Sequence, residues 1–473
     1  MRNPTGHRNG PSGRWRVTMG IDLVIIFAFI LIGGFLISCK TNSTEHKAWF
    51  NKGQYHYKMG KYGKAIEAFN KVIKSNPKYA EAYFIRGRSY DLKGQKSKGA
   101  YERNVLYKKA AADYTKAIEI NPMYASAYNY RGIMHSKNWN STDALADFTK
   151  AIEINPRDAF AYVIRGFYIY YDANQGNPYN RRWPLEKAIA DFTRAIELSP
   201  KYAWAYYIRG KAYNLRNFYD RAIADYTAAI EIDSNLAEAW CYRGKAYNNK
   251  GQLDKAITDL TRAIEINPKY RQAYYLRGKV NYNKGNYDMA ILDYTKSLEI
   301  DKKDACFTYN SRGNAYLKKG KYDEAFEDYI KAMKLYPGYE WIHYNLTRLY
   351  SLKNDKDNAL KYFLSAIANG FNDLPQIQSN KDLDFIRGEK EFQEMQTIVV
   401  NCSRENDPGL VCVNYSLACL YSLKKDKDNA LAYLSRAIWY GFNDLPQIQN
   451  NKDLDFIRAT KEFKEIIGKL NSK

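Results

Sequence analysis

Six prolines divide most of this chain into segments of related length, and their spacing constrains the fold more than any other feature. The intervals between them are 45, 34, 44, 68 and 69 residues, which reduce to a unit of about 34 residues with insertions of 11 and 10 residues in two units. A repeat of this length is a helix–turn–helix unit that buries its apolar face only by stacking on its neighbours. The chain therefore predicts an all-α stack of repeats. The prolines are Pro77, Pro122, Pro156, Pro200, Pro268 and Pro337.

Each unit carries the same pattern on its two helices. The first helix has an aromatic residue, a glycine four residues on and often a tyrosine three residues later, as in Tyr206, Gly210 and Tyr213. These spacings place the three residues on one helix face. The second helix repeats alanine, an aromatic residue or leucine, and alanine, and we expect the glycines to lie against the first alanine. Those alanines are Ala110, Ala144, Ala188, Ala222, Ala256, Ala290 and Ala325.

These residues resemble the tetratricopeptide repeat (TPR) family across most of the chain. The resemblance implies an all-α TPR helix-turn-helix solenoid, a right-handed superhelix of about ten repeats. Eight units span residues 46–339, and two divergent units follow at 340–402 and 403–473. Residues 350–395 match 421–466 at 34 of 46 positions. We read an added short helix in each divergent unit, and expect the last one to cap the apolar end of the stack.

The residue before the repeat glycine is arginine in seven units, and the same seven units carry aspartate on the second helix. The first unit has Lys52 and Ala68 at these places, and the two divergent units have neither residue. Co-occurrence and joint absence predict an ion pair between the helices; shared descent of recently duplicated units is the alternative explanation. The pairs are Arg86/Asp113, Arg131/Asp147, Arg165/Asp191, Arg209/Asp225, Arg243/Asp259, Arg277/Asp293 and Arg312/Asp328.

The N-terminus reads as a targeting segment. Four arginines precede the uncharged run 23–37, whose 15 residues suit the apolar part of a signal peptide and are fewer than the roughly 20 of a membrane span. The run ends in Leu-Ile-Ser-Cys39, which resembles the lipobox of bacterial lipoproteins. The resemblance implies a signal peptide at 1–38, a lipidated Cys39 and a linker at 39–45. An uncleaved signal anchor is the alternative, and both place the rest of the chain beyond the cytoplasmic membrane, in the cell envelope, facing the periplasm or the exterior.

No catalytic or metal-binding motif is visible in the sequence. The five histidines are scattered, and no zinc-protease or P-loop pattern occurs. We therefore expect no enzyme activity, no metal and no cofactor. The later cysteines do not have metal-ligand spacing. A disulfide between Cys402 and Cys412 and a pair of buried thiols both remain open.

The candidate binding site is one face of the first helices, the surface on which TPR proteins hold extended or helical peptides. Lys211, Lys245 and Lys279 recur at 34-residue steps, with aromatic residues between them. Such a ladder suits an acidic or aromatic peptide, and a solvated helix face is the alternative. The arrangement departs from the carboxylate clamp of chaperone-binding TPR proteins. We define the candidate groove as Phe84, Arg88, Asn129, Phe167, Tyr170, Trp204, Tyr207, Lys211, Asn214, Lys245, Asn248, Tyr275, Lys279, Asn310 and Asn314.

The function that follows is a noncatalytic, membrane-anchored scaffold or adaptor that binds a protein or peptide partner. The net charge of +22 leaves two alternatives, a binder of anionic envelope polymer and an accessory subunit that recruits substrate to a separate enzyme. Export argues against nucleic acid, and we expect no small-molecule substrate. The basic insertions near 94–104 and 174–183 form either a second contact patch or a longer turn. Much of the excess of tyrosine, 44 residues, is explained by the packing positions of the repeat.

Overall fold

The fold is seen in a computed structural model, which describes residues 44–137, 141–175, 182–302, 305–404 and 410–471. Within these ranges the chain is all helical, with 26 α-helices and no strand, so the predicted fold class and the count of about ten repeats are confirmed. Residues 1–38 and Cys39 lie outside the described residues. No helix among the described residues is both long and apolar enough to cross a bilayer.

The described helices fall into two compact units that divide after Gly251, inside the sixth repeat. The N-terminal unit contains five complete helical pairs and the first helix of the sixth. Its helices are α1 Thr44–Lys58, α2 Tyr62–Ser75, α3 Ala80–Lys96, α4 Ala100–Ile120, α5 Ala125–Lys137, α6 Ser141–Ile154, α7 Ala159–Gln175, α8 Arg182–Leu198, α9 Ala203–Leu215, α10 Tyr219–Ile232 and α11 Ala237–Asn249.

The C-terminal unit begins with the second helix of the sixth repeat and holds repeats seven to ten. In chain order, this unit starts with the helices α12 Leu253–Ile266, α13 Arg271–Asn283, α14 Tyr287–Ile300, α15 Ala305–Lys318, α16 Tyr322–Leu335, α17 Glu340–Leu352 and α18 Lys356–Ala368. The remainder are α19 Leu374–Ser379, α20 Asp384–Arg387, α21 Lys390–Arg404, α22 Leu410–Leu423, α23 Lys427–Trp439, α24 Leu445–Asn450, α25 Asp455–Arg458 and α26 Lys461–Asn471.

The repeat glycines make room for an aromatic ring as well as for an alanine. A Cβ on Gly210 would lie 2.7 Å from Cε1 of Tyr226, and one on Gly132 would lie 2.6 Å from Cε1 of Phe148. The expected alanine contact exists at Gly87, whose added Cβ would lie 3.2 Å from the Ala110 carbonyl oxygen, but the ring is nearer. The ring of the second helix crosses the first helix at its glycine, and this packing offsets the roughly 1 kcal/mol that glycine costs inside a helix.

The predicted Arg–Asp pairs form in all six repeats whose two members lie in the same compact unit. In repeat five, Arg209 donates from Nε and Nη2 to Asp225 at 2.8 and 2.7 Å, and from Nη1 to Thr193 of the preceding repeat at 3.0 Å. Each arginine therefore joins the two helices of its own repeat, and Arg209 also joins its repeat to the preceding one. The six pairs are Arg86–Asp113, Arg131–Asp147, Arg165–Asp191, Arg209–Asp225, Arg277–Asp293 and Arg312–Asp328.

The insertion near 94–104 lengthens two helices, so the alternative of a longer turn is wrong there. Helices α3 and α4 have 17 and 21 residues, against 13 and 14 in the fifth repeat. Buried Asp91 holds the extension by accepting from Arg88 at 3.1 Å and from Lys137 at 2.9 Å. Most of the insertion near 174–183 lies outside the described residues.

Repeats nine and ten each add more than the single short helix that the sequence indicated. In repeat nine, Asp373 caps the six-residue α19, a 3-10 turn follows, and α20 and α21 complete the segment. Arg348 pairs with Asp382 at 2.6 Å, so a new ion pair replaces the one missing from this repeat. Cys402 and Cys412 form a disulfide that ties α21 to α22, with Cα atoms 5.8 Å apart.

Candidate functional site

The candidate groove residues lie on the first helices of repeats two to eight, as the repeat pattern predicts. Eleven are in the N-terminal unit, and Tyr275, Lys279, Asn310 and Asn314 are in the C-terminal unit. The predicted lysine ladder is therefore divided, because Lys279 does not belong to the unit that holds the other two lysines.

The structure brings the central groove residues together around one lysine. The Nζ atom of Lys211 lies 5.5 Å from the ring centroids of Tyr170 and Tyr207 and 5.0 Å from that of Tyr242. Lys245 approaches the same Tyr242 ring at 5.9 Å. We call Lys211 and these three tyrosines the Lys211 cluster. Tyr170 and Tyr207 are buried, so half-buried Lys211 and Tyr242 are the parts of the cluster within reach of a ligand, and they offer an ammonium beside an aromatic face.

Burial and charge change the proton affinity of this lysine. Lys211 is largely enclosed by the tyrosine rings, and this loss of water, together with the nearby charge of Lys245, lowers the pKa of Lys211 to about 8. The ammonium is therefore still mostly protonated at pH 7 and becomes neutral above pH 8. An anionic ligand beside it would restore its preference for the charged form.

Two polar atoms of the groove floor lack hydrogen-bond partners among the described residues. The hydroxyl of fully buried Tyr226 has none, and its ring crosses Gly210 directly beside Lys211 in the chain. One turn later on α9, the Oδ1 atom of Asn214 is also without a partner. In repeat eight the equivalent hydroxyl, that of Tyr329, donates at 2.9 Å to Asn314, which stands in the place of Lys211. The Tyr226 hydroxyl of the fifth repeat therefore lacks the bond that its counterpart in the eighth repeat makes.

Three predicted groove residues serve the interior, which corrects their assignment as ligand contacts. Arg88 is only 2% exposed because Tyr130 of the next repeat covers it, with the ring centroid 3.9 Å from the guanidinium carbon. Asn129 is buried and donates to Asp158 at 3.1 Å. Phe84 packs among aromatic rings, 5.6 Å from Tyr130 between centroids.

In the C-terminal unit the predicted asparagines are also used internally. Asn310 is buried and accepts a hydrogen bond from Asn345 at 2.9 Å, and Asn314 accepts from Tyr329. Lys279 is exposed, and Tyr275 is half-buried with its ring 5.9 Å from that of Tyr294. This unit therefore does not reproduce the Lys211 cluster.

Sequence reasoning missed Tyr242 and Tyr226. Tyr242 lies two residues before Gly244, at a position that the sequence analysis assigned neither to packing nor to the groove, yet its ring stands between two lysines. The signal was the glycine itself, because a ring that passes over Gly210 must end near Lys211. Trp204, which was predicted, supports the cluster with its ring 4.9 Å from that of Tyr207. In the described part of the chain, no group of three or more His, Cys, Asp or Glu side chains is placed to hold a metal ion.

Several solved structures share this architecture over part of the chain. The crystal structure of MamA is 26% identical, with 37% of this chain and 96% of that chain covered and a TM-score of 0.32. YrrB, described as a TPR protein with an unusual peptide-binding site, is 26% identical, with 41% and 95% covered and a TM-score of 0.33. A tetratricopeptide repeat protein from Parabacteroides merdae ATCC 43184 is 16% identical, with 58% and 99% covered and a TM-score of 0.43. Among curated proteins, none matches the chain.

Family profiles match the repeats themselves. Profiles of the tetratricopeptide repeat match residues 46–79, 272–304, 307–339, 342–375 and 413–438, and a TPR repeat profile matches 184–217, 210–251 and 244–285. Together the matches cover more than half of the chain. Within the segment 80–183, which they omit, the described residues form two such helical pairs, α3 with α4 and α5 with α6, each with its Arg–Asp contact. The chain therefore belongs to the tetratricopeptide repeat family.

Proposed function

We propose that this protein is a noncatalytic scaffold that holds an acidic or aromatic peptide of a partner protein in the bacterial cell envelope. The observation that carries the proposal is the Lys211 cluster, in which one lysine stands among three tyrosine rings. The family supports it, because repeat proteins of this kind present extended surfaces for binding.

The cluster favours a peptide with a carboxylate next to an apolar or aromatic side chain. The ammonium of Lys211 would attract the carboxylate and donate to it. A charge-assisted hydrogen bond contributes about 1.5–3 kcal/mol, and the tyrosine faces add apolar contact. Because the pKa of Lys211 is about 8, the affinity for such a peptide should fall as the pH rises through 8.

We further propose that lipid on Cys39 anchors the chain, which faces the periplasm or the exterior. The Leu-Ile-Ser-Cys sequence after the apolar run supports this placement. So does the Cys402–Cys412 disulfide, because disulfides persist in oxidising compartments outside the cytoplasm. A Cys39→Ser protein that still incorporated labelled fatty acid would contradict it.

The test is photo-crosslinking in intact cells followed by mass spectrometry. Replacing Lys211, Lys245 and Lys279 together with glutamate should abolish the main crosslinked species while leaving the helical circular dichroism unchanged. The double variant Lys211→Glu/Lys245→Glu should suffice, because both of these lysines approach the Tyr242 ring. The matched control is Lys187→Glu/Lys201→Glu, which reverses two exposed charges on other segments. Unchanged partners in the triple variant would refute the site.

Salt separates the peptide from an anionic polymer, the alternative that the charge of +22 favours. Polymer binding through many phosphates or sulfates would fall steeply with salt concentration. Binding in the Lys211 cluster uses few charges and buried rings, so it should weaken only several-fold between 50 and 200 mM salt, an order-of-magnitude expectation for one or two ion contacts. A partner that proves to be an enzyme would make the chain an accessory subunit that uses the same cluster.

A further inference from the structure

The last two repeats provide an internal comparison, because their sequences match over most positions while the described residues cover the end of the second helix differently in each. In repeat nine, Ala368 at the end of α18 is fully buried and Phe371 is 2% exposed. Helix α22 covers Ala368 and Gly370: Asn414 donates to the Ala368 carbonyl at 3.3 Å, and Leu410 lies against Gly370.

In repeat ten the same face has no cover within the described residues. Trp439 stands in the place of Ala368 and is 76% exposed, and Phe442, in the place of Phe371, is only half-buried. Gly441 has no described atom within 4 Å of where its Cβ would be. Helix α26, which we expected to cap this end, buries Phe463 and Ile467 but leaves Trp439 in solvent. The cap is therefore incomplete.

Trp439 exposes a larger apolar surface than the alanine that occupies the same place in repeat nine. Alanine at the same place serves the stacking of a following repeat, whereas tryptophan fills the space that the following helix would use. We call Ile438, Trp439 and Phe442 the Trp439 patch. Tryptophan is among the residues most enriched at the energetic centres of protein interfaces, and the equivalent surface of repeat nine is in contact with α22.

We propose that the Trp439 patch binds the same patch of a second copy of this chain about a two-fold axis. A two-fold contact needs only one patch and buries both tryptophans at once, and it is the commonest symmetry of soluble oligomers. The charge of this repeat permits the approach: residues 410–471 hold nine Lys and Arg against seven Asp and Glu, in a chain whose net charge is +22. Two copies therefore meet little repulsion here, although they would repel along most of their length.

The experiment is sedimentation equilibrium of the full chain in a mild detergent, over a wide range of concentrations. We expect a reversible dimer. We expect Trp439→Ala to raise its dissociation constant by about 30-fold or more, as for loss of a central interface tryptophan. This variant should fold, because repeat nine carries alanine at the same place. The matched control is Tyr101→Ala, which removes an equally exposed aromatic ring from α4 and should leave the dimer unchanged.

A crosslink tests the two-fold geometry. In a two-fold dimer the two Trp439 positions face each other, so Trp439→Cys should give a disulfide-linked dimer under oxidation, while Tyr101→Cys should not. The remaining free thiols in the described chain, Cys241, Cys306 and Cys419, are buried. A wild-type chain that stays monomeric at all concentrations, or a dimer that survives Trp439→Ala unchanged, would overturn the proposal.

Discussion

The Arg209–Asp225 pair offers the sharpest test of how the repeats are held together. Asp225 accepts two bonds from Arg209, and the side chains are 8% and 17% exposed. Asp225→Ala removes both bonds and leaves the guanidinium with Thr193 and a little water. Breaking a fully buried pair costs about 3–5 kcal/mol. Because Arg209 keeps one partner and some solvent, we expect the lower end, about 3 kcal/mol.

A double-mutant cycle separates the pair from the general cost of truncation. We expect Asp225→Ala, Arg209→Ala and the double variant to give a coupling energy of about 2 kcal/mol. The matched control is Arg194 with Glu197, the same chemistry one turn apart on the α8 surface, with side chains about half exposed. Exposed pairs contribute about 0.2–1 kcal/mol, so this cycle should give less than about 0.5 kcal/mol.

Hydrogen exchange is the appropriate assay, because a repeat array need not unfold in a single step. The exchange rates of amides in α9 and α10 give the free energy of local opening. The coupling energy of the double-mutant cycle should be calculated from these free energies. The expected loss of protection is confined to the fourth and fifth repeats, which the arginine joins. A coupling energy at Arg209 and Asp225 no larger than that at Arg194 and Glu197 would refute the reasoning.

Three further predictions use the same full-length chain. Gly210→Ala forces a Cβ to within 2.7 Å of a buried ring and should destabilise by about 2 kcal/mol or more in thermal unfolding, whereas Gly63→Ala, with open space around it, should be neutral or stabilising. The folded chain releases the Lys211 proton near pH 8 and the unfolded chain near 10.5, so the contribution of Lys211 to the free energy of unfolding rises with pH across that window. Lys211→Met should abolish this pH dependence and raise the free energy of unfolding at pH 7 by roughly 1–3 kcal/mol, as measured by urea denaturation. Reduction of Cys402–Cys412, or Cys402→Ser, should increase hydrogen exchange in α21 and α22 and leave α9 unchanged.

The helical pairs and their ion pairs were predictable because the 34-residue period repeats the same side chains in register. Seven repeats carry both the arginine and the aspartate, and three repeats carry neither. This co-variation indicates an ion pair from the sequence alone. The extended α3 and α4 were not predictable, because the 34-residue period does not tell whether an insertion lengthens the turn or the helices on either side of it. In the structure Gly94 instead lets the helix pass Tyr107, whose ring a Cβ would meet at 2.8 Å.

The groove was predicted only in outline. Its helix face follows from the period, but whether a residue on that face reaches solvent depends on the next repeat. Arg88 and Lys211 occupy the same place after the repeat glycine, yet Tyr130 closes over the arginine while the lysine remains half-open among three rings. Such differences arise from contacts between neighbouring repeats, which the pattern of a single repeat does not contain.

The bond from Arg209 to Thr193 also bears on how such a chain can change length. Arg243 donates to Thr227 in the same way, at the same 3.0 Å. A genetic deletion of one whole period, residues 203–236, would bring Arg243 to the place of Arg209, opposite Thr193. The contact at the new junction would have the same chemistry as the contacts that were lost. Deletion of half a period would leave both residues without this partner, so gain and loss of repeats should occur in whole units.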